Sequence, residues 1–210
     1  MDTVGPHIYH YLHHPLFSSG EAMLYYALEH LVFTGAITFD HSRVHPGHDD
    51  HRLVDRLFLH RAAGTEATGP EGAALDLIPR GEAYSLADLR RKIDHVYPDL
   101  HAFKAGPMQE HLLGQGLLSS PSFTTAEGRK AYRHVHHLLH QVEHEEEHLL
   151  ADAARLHGRL AELGSNVVLL HHGFLEKLRD RNDLEPLLKT VLILQTFLES
   201  GGYHDTKVMG

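Results

Sequence analysis

The sequence predicts a mainly α-helical fold with short β hairpins: two winged-helix-like units followed by a C-terminal helical hairpin or bundle. Three observations predict it. Residues 29–38 read EHLVFTGAIT and residues 110–119 read EHLLGQGLLS, nearly the same word 81 positions later. Each copy is helix-forming residues, a glycine and a short apolar run, and glycine accepts the left-handed backbone that ends a helix. From Ala131 onward, apolar residues recur at three-four spacing over a long stretch, which is a helical period.

In the first unit, residues 1–63, Ser18 followed by Glu21 is a capping-box signature. It opens a helix running to about Thr34, with Leu24, Ala27, Leu28 and Leu31 as the buried stripe. Gly35 closes it, and residues 36–40 alternate with period two as a short strand. Residues 41–51 (HSRVHPGHDDH) form a polar loop, after which Asp49 or Asp50 caps a helix that turns Leu53, Val54, Leu57 and Phe58 inward. Residues 64–84, rich in Gly, Ala, Thr and Pro, read as a loop or linker.

The second unit spans residues 85–129. Ser85 with Asp88 starts a helix whose stripe is Leu86, Leu89, Ile93 and Val96, and Pro98 ends it. Pro107 suits the first position of the next helix, which carries Met108, His111 and Leu112. Gly116 closes that helix and Leu117–Ser119 begin a second extended segment.

Residues 130–210 form the helical C-terminal segment. Ala131, Val135, Leu138, Val142, Leu149, Ala153, Leu156, Leu160 and Leu163 mark one long helix that Gly164 stops. Val167, Leu170, Phe174 and Leu178 mark another. Asp183 caps a last, almost wholly apolar helix through Leu187, Val191, Leu194 and Leu198, ended by Gly201 and Gly202.

Composition narrows the function classes. Of 210 residues, 42% are hydrophobic and 22% charged, which is globular usage. The net charge of −9 disfavours nucleic acid and anionic membranes as partners. There is no cysteine, so disulfides and thiolate chemistry are excluded. The N-terminus lacks a basic region followed by an apolar run, and the most apolar segment, TVLILQTFL from Thr190, is too short to span a bilayer. A cytoplasmic, non-integral protein is the expectation. The 23 histidines are the unusual feature. They titrate near pH 6.5, so acidification would add a positive charge for each one protonated.

His136, His140, His144 and His148 form a ladder at helical four-residue steps, facing away from the apolar stripe. Two imidazoles so spaced chelate zinc or nickel, so His140, His144 and His148 with Glu147 are candidate metal ligands. His144 to His148 also matches the H-E-x-x-H pattern of zinc proteases, with Glu145 in the general-base position. The charged Glu146 and Glu147 and the lack of a third ligand at the usual spacing argue against that enzyme class. Glu145 and Glu146 fall where the apolar stripe should continue, so each needs a partner. A second candidate metal cluster is His45, His48 and His51 in the polar loop. No nucleophile elbow, phosphate-binding loop or dinucleotide fingerprint is present.

A DNA-reading winged helix puts cations on the helix before the strand. Here residues 20–34 and 107–116 contain no Arg or Lys. Arg90, Arg91 and Lys92 are the one basic cluster near them.

The order ALEHLVFTGAITFD, HRLVDRLFLHRA, SLADLRRKI, MQEHLLGQGLLSSP, covering residues 20–129, resembles two bacterial patterns. One is an uncharacterised winged-helix-like domain near the N-termini of some membrane proteins. The other is the helical Golgi phosphoprotein family, which binds phosphoinositides. The resemblance implies the architecture and, through the second family, peripheral binding of a lipid headgroup; it assigns no residue a role. The function expected from the residues is a non-enzymatic cytoplasmic adaptor or regulator that contacts another protein or a second copy of itself. The alternative is a histidine-rich protein or metalloenzyme binding a divalent transition metal, Zn or Ni. A third is a module that responds to pH through its histidines.

Overall fold

The computed structural model describes residues 3–40, 58–179, 181 and 183–184. Of these, 64% are helical and 9% lie in strands, which form two small antiparallel sheets. Helix α1 (Pro6–His13) starts on a proline, whose missing N–H is one of the donors a helix start leaves unbonded. Helix α2 (Gly20–Phe33) follows. Its cap is Ser19, which accepts from the N–H groups of Glu21 and Ala22, one residue later than the predicted Ser18. Gly20 at its first turn packs against the chain at Leu100, where a Cβ would collide with the carbonyl.

Strand β1 (Ile37–Asp40) pairs with β2 (Phe58–Arg61), with Ile37 opposite Arg61, and β2 pairs with β3 (Tyr84–Ser85). Phe58 therefore belongs to a strand and not to the predicted helix. The rest of that helix, and the loop with His45, His48 and His51, lie outside the described residues. Helix α3 (Gly69–Leu75) lies within the segment predicted as loop or linker. It packs on α2, and Ala74, Leu75, Leu77 and Ile78 join the core. Its small residues made the segment look like a loop, and a Cβ at Gly69 would meet His111 and one at Gly72 the Ala67 carbonyl.

Helix α4 (Leu86–Val96) opens where predicted, with the Ser85 hydroxyl accepting from the Asp88 N–H. Leu86, Leu89 and Ile93 are buried, whereas Val96 is exposed. The next helix starts six residues before Pro107. It runs as α5 (His101–Phe103), a π-helical turn (Lys104–Met108) and α6 (Gln109–Gly114). Pro107 sits inside the π turn, where a wider ring of backbone accommodates a residue without an N–H. Strands β4 (Leu118–Ser120) and β5 (Phe123–Thr124) form the second sheet.

The predicted single long helix is three. Helix α7 (Ala126–His144) ends at Glu145, α8 (Glu146–Ala151) ends at Asp152, and α9 (Ala153–Leu163) ends at Gly164, whose φ is 56°. Asp152 caps α9 by accepting from the Arg155 N–H. A 3-10 turn (Gly164–Leu169) and helix α10 (His172–Arg179) follow, with Phe174 and Leu178 fully buried. The predicted final helix, apart from Asp183 and Leu184, lies outside the described residues.

Helix α2 is the centre of the molecule. It contacts α1, α3, α5, β1 and the 3-10 turn, and Met23, Leu24, Ala27, Leu28, Leu31 and Val32 are buried on it. Among the described residues, no helix is long and apolar enough to cross a membrane.

Candidate functional site

The two copies of the repeated word adopt the same local structure. Each helix ends with a residue in the right-handed region, Thr34 or Gln115, followed by a glycine at φ 76° or 69°. The hydrogen bonds match as well: Thr34 N–H to His30 O and Gln115 N–H to His111 O, both at 2.9 Å. The histidines that stand at equal positions in the two words, His30 and His111, line one cleft of about 460 Å³. Glu71 from α3, Glu66 and the hydroxyl residues Thr34, Thr65 and Thr68 complete its polar lining. A signal for this convergence was present in the sequence, since the histidine is common to both words, but the spacing alone gave no reason to bring them to one place.

Behind the cleft lies a buried polar cluster. His7 is 0% exposed, and its Nε2 donates to Glu71 Oε1 at 3.0 Å. Its Nδ1 has no hydrogen-bond partner among the described residues. Burial alone would raise the Glu71 carboxyl, but the hydrogen bond and charge of His7 outweigh it and hold the group down at about 2. His30 Nδ1 is 2.7 Å from Ser165 Oγ, and its ring stands edge-on to His7 at 5.6 Å between centroids. Burial, reinforced by His7, pushes the His30 imidazole down to about 4, so it is neutral at pH 7. Next to Ser165, the Asn166 amide donates to the carbonyls of Val4 and Leu163.

A second cavity, of about 290 Å³, lies between α1, α2 and α7. Tyr9, His10 and His13 line it from α1, Tyr26 from α2, and His136, His140 and Glu143 from α7. Its wall is a stack of rings: Tyr9 on Tyr132 at 5.2 Å, His13 on Tyr132 at 5.3 Å, Tyr132 on His136 at 5.3 Å. Tyr9 Oη lies 3.2 Å from His136 Nδ1, and His10 meets the Tyr26 ring edge-on. The structure thus brings half of the predicted ladder, His136 and His140, to a cavity with two histidines of α1.

The other half of the ladder is placed differently. His144 is the last residue of α7, and Glu147 and His148 lie on α8 beyond the break at Glu145. His140 and His144 stack at 6.2 Å. Among the described residues, no three His, Asp or Glu side chains are grouped so as to hold a metal ion. Glu145 pairs with Arg155 at 2.8 Å and Arg159 at 3.8 Å. Glu146 pairs with Lys177 at 2.6 Å and accepts from His171 Nε2 at 2.8 Å. The lysine hydrogen bond holds the Glu146 carboxyl below its usual range. The carboxylates at the core margin are thus met by cations from neighbouring helices.

The surface also shows large apolar side chains. Phe17 is 87% exposed and Leu16 65%, in the turn between α1 and α2, and Phe123 is 69% exposed on β5. These segments are tied together. Tyr11 donates its hydroxyl to the Pro121 carbonyl at 2.7 Å, and the buried Lys104 ammonium donates to the Leu16 and Ser18 carbonyls. Comparison with family models, with curated proteins and with solved structures found no match.

Proposed function

We propose that the chain is a non-enzymatic regulatory module that works through protein–protein contacts, built from two winged-helix-like units and a C-terminal helical segment. The observation that carries this reading is the helix standing before each strand. In a nucleic-acid reader that helix is exposed and cationic. Here neither α2 nor α6 contains Arg or Lys, Lys104 in the π turn ahead of α6 is buried, Glu stands in both, and α2 packs against five neighbouring elements. The matching caps at Gly35 and Gly116 support two related units. The exposed Leu16, Phe17 and Phe123 supply apolar surface of the kind that marks contact sites.

The partner that can be supplied directly is a second copy of the chain. Sedimentation velocity over a wide concentration range should show the full chain self-associating, and Phe17→Ser combined with Phe123→Ser should leave it monomeric. A native chain that stays monomeric throughout counts against self-association through this surface. Tight, salt-dependent binding of duplex DNA would overturn the reading as a whole.

A further inference from the structure

The cavity between α1, α2 and α7 has a wall chemistry that protein–protein contact does not call for. Tyr9 and Tyr26 line it with aromatic rings, Tyr9 stacked on Tyr132 and His13, and Tyr26 meeting His10 edge-on, and such π systems attract positive charge. Burial, helped by neighbouring imidazoles, pushes both His10 and His13 below the ordinary histidine value, so at neutral pH they add uncharged rings and nitrogen lone pairs. Glu143 adds an exposed carboxylate. No lysine or arginine is among the described residues that line the space. Lys104 is the nearby ammonium that acts on His10, and it is engaged by the carbonyls of Leu16 and Ser18.

Each class of ligand meets this wall differently. An anion would find the Glu143 carboxylate and no lysine or arginine among the described lining residues. A metal ion would find His136 Nδ1 engaged by the Tyr9 hydroxyl and no grouping of three ligands among the described residues. An uncharged apolar ligand would gain nothing from the exposed Glu143 carboxylate or from the imidazole lone pairs. A cation satisfies all of them, because rings, lone pairs and carboxylate attract positive charge together. The volume of about 290 Å³ limits the ligand to a small one.

We propose that this cavity binds a small organic cation bearing a methylated ammonium group, held against its aromatic wall at Tyr9 and Tyr26 with Glu143 beside it. The proposal is independent of the protein-contact reading.

The test is an NMR titration of the full chain with choline, beside the same titration with its uncharged isostere, in which carbon replaces the quaternary nitrogen. Choline should shift the Tyr9 and Tyr26 ring signals in a saturable way, and the isostere should bind roughly tenfold more weakly or worse. Glu143→Gln should weaken choline about threefold, as expected for one exposed charge. Tyr26→Leu, with its fold checked by the amide spectrum, should weaken choline by roughly tenfold. Co-sedimentation with phosphatidylcholine vesicles separates a free ligand from a lipid headgroup, and uptake from either source supports the proposal. No shift of the ring signals with choline and no uptake on vesicles overturns it. So does equal binding of the isostere, or choline affinity unchanged in both variants. Zinc occupying the same histidines at micromolar concentration, with choline inert, also overturns it.

Discussion

His30 and Glu71 meet at one cleft, and both make the fold sensitive to acid in the same direction. The folded His30 is held at about 4, below the 6.5 of an unperturbed histidine. Between those values the unfolded chain takes up a proton that the folded chain refuses, so stability falls as pH drops from about 6.5 to about 4. The full difference is on the order of 3 kcal/mol, a large share of a typical folding free energy. Glu71 acts in a lower window. Its folded value of about 2 against 4.5 gives stability that is present above pH 4.5 and lost from there down to about 2. His10 and His13 are also lowered and add to the upper window with the same sign. Urea unfolding at pH 7.5, 6 and 5 should show a steady loss of stability, with His30→Gln reducing the slope. Stability that rises on acidification would show that the imidazole gains a proton on folding instead. The histidine count announced sensitivity of this kind. It did not say which residues carry it, because burial of His7 and His30 depends on Glu71 and Ser165, which are 64 and 135 positions distant from them.

The repeated word makes a prediction at the scale of the element. Gly35 and Gly116 hold φ values of 76° and 69°, and a Cβ at either position would meet nothing within 4 Å. The cost of Gly→Ala at each is therefore backbone strain alone, about 1 kcal/mol, and should be nearly equal at the two sites. Denaturant unfolding of G35A and G116A measures this, and costs differing by several-fold would show that the two helix ends are not the same device. Gly20→Ala should cost much more, since its Cβ meets the fixed Leu100 carbonyl. Elements of this kind were legible from local chemistry. The Ser85 cap, the glycine stops at Gly35, Gly116 and Gly164, and the buried stripes of α2 and α4 all follow from residues within one or two turns. What was not legible is decided across distance. The three-four spacing from Ala131 to Leu163 persists through two helix ends, so periodicity alone hides them. The break at Glu145 places its carboxylate by Arg155 and Arg159, while Glu146 meets Lys177 and His171. Phe58 reads as the end of a helical stripe, yet pairing with β1 and β3 draws it into a strand. The spacing reads as a ladder on one unbroken helix; in the structure His140 and His144 lie on α7, and Glu147 and His148 on α8.

Among the described residues, the buried apolar side chains form one core that runs from Ile8 on α1 to Leu184. Polar ties cross the same boundaries. Asn166 in the 3-10 turn donates to the Val4 carbonyl, Tyr11 on α1 to the Pro121 carbonyl, and Lys104 to the turn before α2. Helix α1 touches both α7 and the 3-10 turn, so the N-terminal unit and the segment after residue 130 share a packing surface. Units that share a core lose it together, because exposing one face strips burial from the other. Calorimetry of the full chain should therefore give one cooperative transition rather than separate melting of the units read from the sequence. Asn166→Ala provides the sharper form of the test. It leaves the Val4 carbonyl without its donor, at a cost of roughly 1–3 kcal/mol, and should lower the single transition by several degrees without splitting it. A second, lower transition appearing in this variant would mean that the α1–α2 pair comes away from the helices after β5 and that the core is two cores in contact.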